Sequence, residues 1–280
     1  KPYTLILVHS GLFRHVLCQA LHFALRCGSP KLPFTPMHLR LIETSEQAEA
    51  AAAELRTGYT AEALYAFRVA ARRIRSLLKQ LDSHRSRVLR KAWGGYAAVT
   101  GPARDWDVFM ISAEKRLSAA EFANFQKINH ERIASSHDAV LEMLFSAPWR
   151  RHQAEWQQFL EQAEEHVEGV DRREQKQRTL DRAAEALQTA LTVDDDHHWH
   201  RFRIAVKEVR YVAEASPDDP AAQHLVKECK NLQSILGAWH DAVVQLALLD
   251  ELPPAAVHET LVSRVTQTRH ENLARIRDEA

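Results

Sequence analysis

From residue 44 onward apolar residues recur at three- and four-residue intervals, the spacing of one helix face, and no stretch alternates as a half-buried strand would. Caps and breakers divide this pattern into elements. Thr44 with Gln47 three residues later reads as a capping box that opens a helix through EAAAAELR, which Gly58 stops. Thr60 caps a long second helix whose apolar residues are Phe67, Ile74, Leu77, Leu78 and Leu81. Residues 87–100 form a third, ended or kinked at Gly101-Pro102. Pro102 suits the first turn of a new helix, and Asp105 and Asp107 suit its positive end. Helices through 108–117 and 120–144 follow, and Pro148 breaks the chain before 149–170. An amphipathic stretch then runs to Leu191. Asp194, Asp195 and Asp196 offer N-caps to a further helix, which Pro217 and Pro220 end, and helices at 223–236, 239–252 and 257–276 complete the pattern. The expected fold class is all-α.

Residues 1–43 differ. They open with a strand-like YTLILV, continue through an apolar stretch at 12–25 interrupted by Arg14, His15 and His22, and meet Pro30, Pro33 and Pro36. The first apolar run is short and no small-residue cleavage site follows it, so a signal peptide fits poorly. This segment reads as an extension or the remnant of a neighbouring region, and residues 44–280 as the helical domain.

Placed on a helix, Arg68, Arg72, Arg75 and Lys79 fall within about 60° of one another. They form a row about 17 Å long, set largely apart from the apolar face. The row recurs downstream in HRFRIAVKEVRY as His200, Arg203, Lys207 and Arg210. Aligning Arg68 with Arg203 also places Phe67 on Phe202, Ala70 on Ala205 and Arg75 on Arg210. Lys91 then meets Lys227, Gly101 meets Gly237, Arg104 meets His240 and Asp105 meets Asp241. One inserted residue accommodates the whole block, so the domain reads as two repeat halves, about 44–150 and 151–280. Two like-charged rows repel each other, and a polyvalent anion is the expected partner.

Composition narrows the partner. With 37 basic and 37 acidic residues the formal net charge is zero, which argues against a globally basic nucleic-acid binder. The charge is local: residues 65–91 hold nine Arg or Lys against one Asp, a net of +8. Cys18, Cys27 and Cys229 lack CxxC spacing and read as reduced thiols of a cytosolic protein. No run of about 20 uncharged apolar residues is present, so no membrane partner is expected.

The segments FRVAARRIR and GPARDWDV in the first half, and HRFRIAVKEVRY and LQSILGAWHDAV in the second, resemble the CHAD family, the conserved-histidine α-helical domain. The resemblance covers roughly residues 44–280 and includes APWRRHQAEW. It implies two pseudo-symmetric four-helix bundles with a basic groove or pore between them, which bind inorganic polyphosphate. The family is often attached to a triphosphate-metabolising CYTH domain, so a CYTH-type domain or protein is an expected partner. Residues 1–42 are too short to be one. The family's histidine three residues before the motif arginine is present as His200, but Tyr65 takes its place in the first half. Glu208 replaces Arg73, off the basic row.

The expected polyphosphate-binding residues are therefore Arg68, Arg72, Arg75, Lys79, Lys91 and Arg104 from the first half. His200, Arg203, Lys207, Arg210, Lys227, Lys230 and His240 come from the second. Forked guanidinium donors suit phosphate oxygens, and a helix lines up positions i, i+4, i+7 and i+11 along a linear polymer. His200 is expected to act as a donor or cation whose charge grows below about pH 6.5, and His240 likewise, with Arg104 of the other half. Asp105 and Asp241 read as helix-start residues or as groups that orient arginines. Gly101 and Gly237 read as permitting a close helix crossing or a cap. Zinc at His197, His198 and His200 is disfavoured, because His198 leaves the face that the other two share. Neither metal, cofactor nor catalytic residue is expected. The competing readings are a phosphohydrolase holding metal on Asp105, Asp107 and Asp241, and a helical module for nucleic acid or protein. The first lacks a dense acidic motif, and the second an aromatic stacking platform. The expected location is the cytoplasm, in association with polyphosphate granules.

Overall fold

The computed structural model describes residues 37–81, 83–162, 172–214, 219–253 and 259–279, and within them the chain forms ten α-helices and no strand. They are α1 (Met37–Thr57), α2 (Ala61–Leu81), α3 (His84–Val99), α4 (Gly101–Glu114), α5 (Ala119–Phe145), α6 (Ala147–Glu161), α7 (Arg172–Val193), α8 (Asp196–Ala213), α9 (Pro220–Asp250) and α10 (Glu259–Glu279). The strand-like opening, the 12–25 stretch, Cys18, Cys27, the three early prolines, Pro217 and the expected helix end at Val170 lie outside the described residues.

Several boundaries follow the caps read from sequence. Thr60 Oγ1 accepts from the Ala63 N–H at 3.1 Å, and Asp195 accepts from the His198 N–H at 2.8 Å. Pro102 stands in the first turn of α4, where its missing N–H has no helical partner to lose. Ser83 and Ser86 close a reciprocal capping box at the start of α3, three residues before the expected start at 87.

Two boundaries move. Thr44 is no N-cap, because α1 begins at Met37. Thr44 lies buried inside the helix, and its hydroxyl donates back to the Arg40 carbonyl at 2.7 Å. Ser45 is also buried, and its oxygen accepts from Trp156 Nε1 at 2.8 Å. Residues that can cap a helix are here used to join one to its neighbour. Gly237 does not divide 223–236 from 239–252 either, since α9 runs unbroken through both. A Cβ added at Gly101 or Gly237 would meet nothing within 4 Å, so neither glycine serves a close helix crossing.

The chain divides into two compact units. The N-terminal unit comprises Thr35–Val170 with Leu248–Val262, and the C-terminal unit includes Asp171–Ala247 with Ser263–Ala280. Helix α6 belongs to the first, so that unit extends past residue 150, where the sequence halves meet. Its core stacks Phe67 of α2, Trp93 of α3, and Trp149, Trp156 and Phe159 of α6. Trp149 and Trp156 stand nearly perpendicular to Trp93 at 5.9 and 5.7 Å between ring centres, the edge-to-face arrangement that aromatic quadrupoles prefer. His152 is 4% exposed among these rings, and burial alone pushes its imidazole down to about 4.

In the C-terminal unit Leu187 of α7, Trp199 and Phe202 of α8, Leu236 and Trp239 of α9, and Ile276 of α10 share one core. The three consecutive aspartates hold the start of α8 in place. Asp194, at a φ of 54°, accepts from Trp199 Nε1 at 2.9 Å and from the Arg277 guanidinium. Asp196 pairs with Arg269 at 2.8 Å. Cys229 is buried in this core and its thiol is pushed up to about 12, leaving no thiolate at neutral pH.

Candidate functional site: two clusters of cationic side chains

On α2 the apolar residues Phe67, Ile74, Leu77, Leu78 and Leu81 are buried, which leaves the Arg68 row along the edge of the helix. Arg68 is half-buried. Its Nη1 donates to the Ala97 carbonyl and to Thr100 Oγ1, both at 2.7 Å, and so ties α2 to the end of α3. Further along, the Arg75 guanidinium lies over Gly94, where a Cβ would meet it at 3.6 Å. Arg104 of α4 sits with its guanidinium carbon 5.0 Å from the centre of the Tyr65 ring, within cation–π range.

The guanidinium groups act on one another. Burial lowers the Arg68 pKa first, Asp105 opposes this, and Arg72 and Arg104 lower it further. Desolvation does the same to Arg75, followed by the charges of Arg90 and Arg72. Arg104, Arg68, Arg72, Arg75 and Arg90 therefore form a continuous series of neighbouring like charges. Among the described residues no carboxylate pairs with Arg72, Arg75, Arg90 or Arg104. Arg90 was missing from the residues expected from sequence. Its signal lies on α3, where Arg90, Gly94 and Ala97 stand at i, i+4 and i+7, a cation followed by two small residues that leave room for guanidinium groups.

Behind this series lies a second network. Asp107 is buried, accepts from the Tyr59 hydroxyl at 2.8 Å, and lies 3.2 Å from His137 Nε2. The Tyr59 and His137 rings stack 3.7 Å apart at 17°. Burial and the Asp107 carboxylate push the Tyr59 phenol up, while Arg104 and Arg68 pull it down. Asp107 is thus more than a helix-start residue: it joins α4 and α5 to the turn before α2.

The C-terminal unit builds its cluster on α8, where Trp199, Phe202, Val206 and Val209 are buried and His200, Arg203, Lys207 and Arg210 are half-buried. His200 Nδ1 faces His240 Nδ1 of α9 at 3.3 Å, with ring centres 4.6 Å apart. Burial, then Arg203, Lys207 and His197, holds His200 below the ordinary imidazole range. Burial, then Arg203, His200 and Lys207, brings His240 down to about 3. This corrects the expectation that these rings gain charge below about pH 6.5. In the free protein both are neutral donors, because burial and neighbouring cations oppose the charged form.

Arg210 is less available than its place in the row suggests. It pairs with Glu214 at 3.6 Å and lies 4.9 Å from the Tyr211 ring centre. Lys79 is half-buried beside the N-terminal series, whereas Lys91, Lys227 and Lys230 stand exposed. Asp195 engages the His198 ring at 2.7 Å, and among the described residues no three His, Cys, Asp or Glu side chains form a group that could hold a metal.

A family model for the CHAD domain matches residues 40–250. The crystal structure of the CHAD domain from the plant Ricinus communis is similar at 23% sequence identity and a TM-score of 0.66, covering 88% of this chain and 89% of that one. That likeness extends the comparison to the fold. No curated protein matches the sequence.

Proposed function

The chain belongs to the CHAD domain family, and we propose that it binds inorganic polyphosphate without catalysis, through the basic helical rows of its two repeat-related halves. The observation that carries this reading is the series Arg104, Arg68, Arg72, Arg75 and Arg90, in which Arg72 and Arg104 add to the effect of burial on Arg68, and Arg90 and Arg72 to its effect on Arg75. Such a cluster raises the energy of the free protein, and a polyanion relieves it. Polyphosphate offers about one negative charge per internal unit and no ring or base, so it is recognised by repeated cations at regular spacing, with forked donors meeting its oxygens. Micromolar affinity corresponds to about 8 kcal/mol, a modest share from each of the clustered cations. The repeat has support inside each unit as well. Tyr65 and Arg104 meet in one, and His200 and His240, at the matching places, meet in the other.

Asp107 supports the non-catalytic reading. Its oxygens are engaged by Tyr59 and His137, which leaves the acidic set proposed for a phosphohydrolase without its buried member. The cellular role that follows is a tether to phosphate polymer in the cytoplasm, at polyphosphate granules and beside a CYTH-type enzyme. Among the described residues no helix is long and apolar enough to cross a membrane.

The test is calorimetric titration of the full chain with polyphosphate of defined length at several salt concentrations. The comparison is a variant carrying Arg72→Glu and Arg203→Glu. Arg68 is left alone because it also holds α2 to α3. Affinity falls steeply with salt as counterions are released. The variant loses about thirtyfold, or ~2 kcal/mol for the two reversed charges together, with helicity unchanged. Undiminished binding in the variant overturns the site, and metal-dependent shortening of the polymer overturns the non-catalytic reading.

A further inference from the structure

Nothing in the anion-binding reading accounts for two imidazoles placed face to face inside a cationic cluster. With their Nδ1 atoms 3.3 Å apart, the His200 and His240 rings are within reach of a single N–H···N hydrogen bond when both are neutral. If the acceptor ring gains a proton, both Nδ1 positions carry hydrogen and the pair must separate; if the donor ring gains it at Nε2, the Nδ1–H···Nδ1 bond is kept and the new N–H must find an acceptor. We propose that binding of a phosphate polymer at the C-terminal unit is coupled to proton uptake by the His200–His240 pair, so that this unit's affinity rises as pH falls while that of the N-terminal unit does not. The inference rests on the polyphosphate reading above and specifies how that site is regulated.

The charges around the pair decide the sign. From α8 it is faced by Arg203, Lys207 and His197, all of which oppose a further positive charge. From α9 it has His240 itself, followed in the chain by the half-buried Asp241. Among the described residues of α7 and α10, Arg182 pairs with Glu208, Arg269 with Asp196 and Arg277 with Asp194. In the free protein the local field is therefore positive and the rings stay neutral. A phosphate group against Arg203 and Lys207 reverses that field. It offsets the two cations, adds negative charge, and supplies oxygens that accept from the protonated rings. The proton comes from solvent, and no covalent bond changes.

The N-terminal unit holds the contrasting pair. Tyr65 and Arg104 occupy the matching places, with the guanidinium 5.0 Å from the ring centre. Guanidinium keeps its proton throughout the physiological range, so this pair has nothing to take up.

By linkage, each proton taken up on binding makes affinity rise about tenfold per unit fall in pH. The experiment titrates the full chain with long-chain polyphosphate, whose titrating end groups are few, between pH 8 and pH 6. Each pH is run in two buffers of different ionisation enthalpy, so that proton uptake is read from the heat itself. The expected result is net uptake of up to about one proton at the C-terminal unit, with affinity rising accordingly. A variant carrying His200→Tyr and His240→Arg transplants the other unit's pair, and His240→Gln serves as a second probe. Both lose the pH slope, and the double variant binds more tightly than the parent protein at pH 8. Salt-sensitive binding with no proton uptake overturns the coupling and leaves polyphosphate binding standing, and so does a slope that persists in both variants. Absence of binding at every pH removes the polyphosphate reading, and the coupling with it.

Discussion

The two units set different chemistry at corresponding places. Around Arg68 the N-terminal unit gathers permanent charges: Arg72, Arg75, Arg90 and an Arg104 steadied on the Tyr65 ring. Around Arg203 the C-terminal unit has Lys207 and two neutral imidazoles, and it spends Arg210 on Glu214. The acidic neighbours differ too, since Asp107 is taken up by Tyr59 and His137 whereas Glu214 stays beside the row. A helical row of basic positions is thus a scaffold whose effective charge is set by what the neighbouring helices bring to it.

The largest test of this contrast reverses charge in one unit at a time. Arg72→Glu with Arg104→Glu removes two members of the five-guanidinium series and lowers polyphosphate affinity at pH 7.5 by about a hundredfold, or ~2.7 kcal/mol. Arg203→Glu with Lys207→Glu, in the unit that holds fewer permanent charges, costs about tenfold under the same conditions. Equal losses in parallel calorimetric titrations would remove the asymmetry.

Acid separates the units through their histidines. His152 in the N-terminal core is held down to about 4 by burial, and His240 in the C-terminal cluster down to about 3. The unfolded chain binds these protons at about pH 6.5, so the stability they contribute is complete above that pH. It is lost as pH falls toward the folded values. For His152 the full loss is on the order of 3 kcal/mol, reached only below about pH 4. Thermal melts from pH 7 to pH 4 should show His152→Phe with a shallower decline than the parent protein. Polyphosphate should slow the decline that belongs to His240 and leave the part due to His152 unchanged. A parent protein as stable at pH 4.5 as at pH 7 contradicts both assignments.

The smallest effect concerns Arg210. Glu214→Gln releases the guanidinium from a partly exposed ion pair, which is worth about 0–1 kcal/mol. Affinity for polyphosphate should rise by about twofold to fivefold at low salt and hardly at all at high salt. A fall in affinity would mean that Glu214 positions Arg210 for the ligand.

How far the sequence could be read depended on the kind of signal. Apolar spacing and caps are local, so Thr60, Pro102 and Asp195 could be assigned their roles from neighbours within one helical turn. Thr44 misled because the local signal for a cap is the same whether the helix starts there or has been running since Met37. Gly237 misled because a glycine in a long, well-packed helix costs only about 1 kcal/mol, too little to end it. In the candidate site, the rows on α2 and α8 were legible because helical geometry sets which side chains lie in line. Arg90 was not, because its relation to Arg75 depends on how α3 packs against α2.

By itself the sequence determined that the chain is helical, that it belongs with proteins carrying paired basic motifs, and which positions form each row, since all of these rest on spacing along one helix. Tertiary structure decided the rest. It placed Tyr65 under Arg104, faced His200 with His240, closed Asp107 off between Tyr59 and His137, and turned Glu214 toward Arg210. Proton affinity and effective charge depend on burial and on groups distant in sequence, and those meet only once the helices have packed.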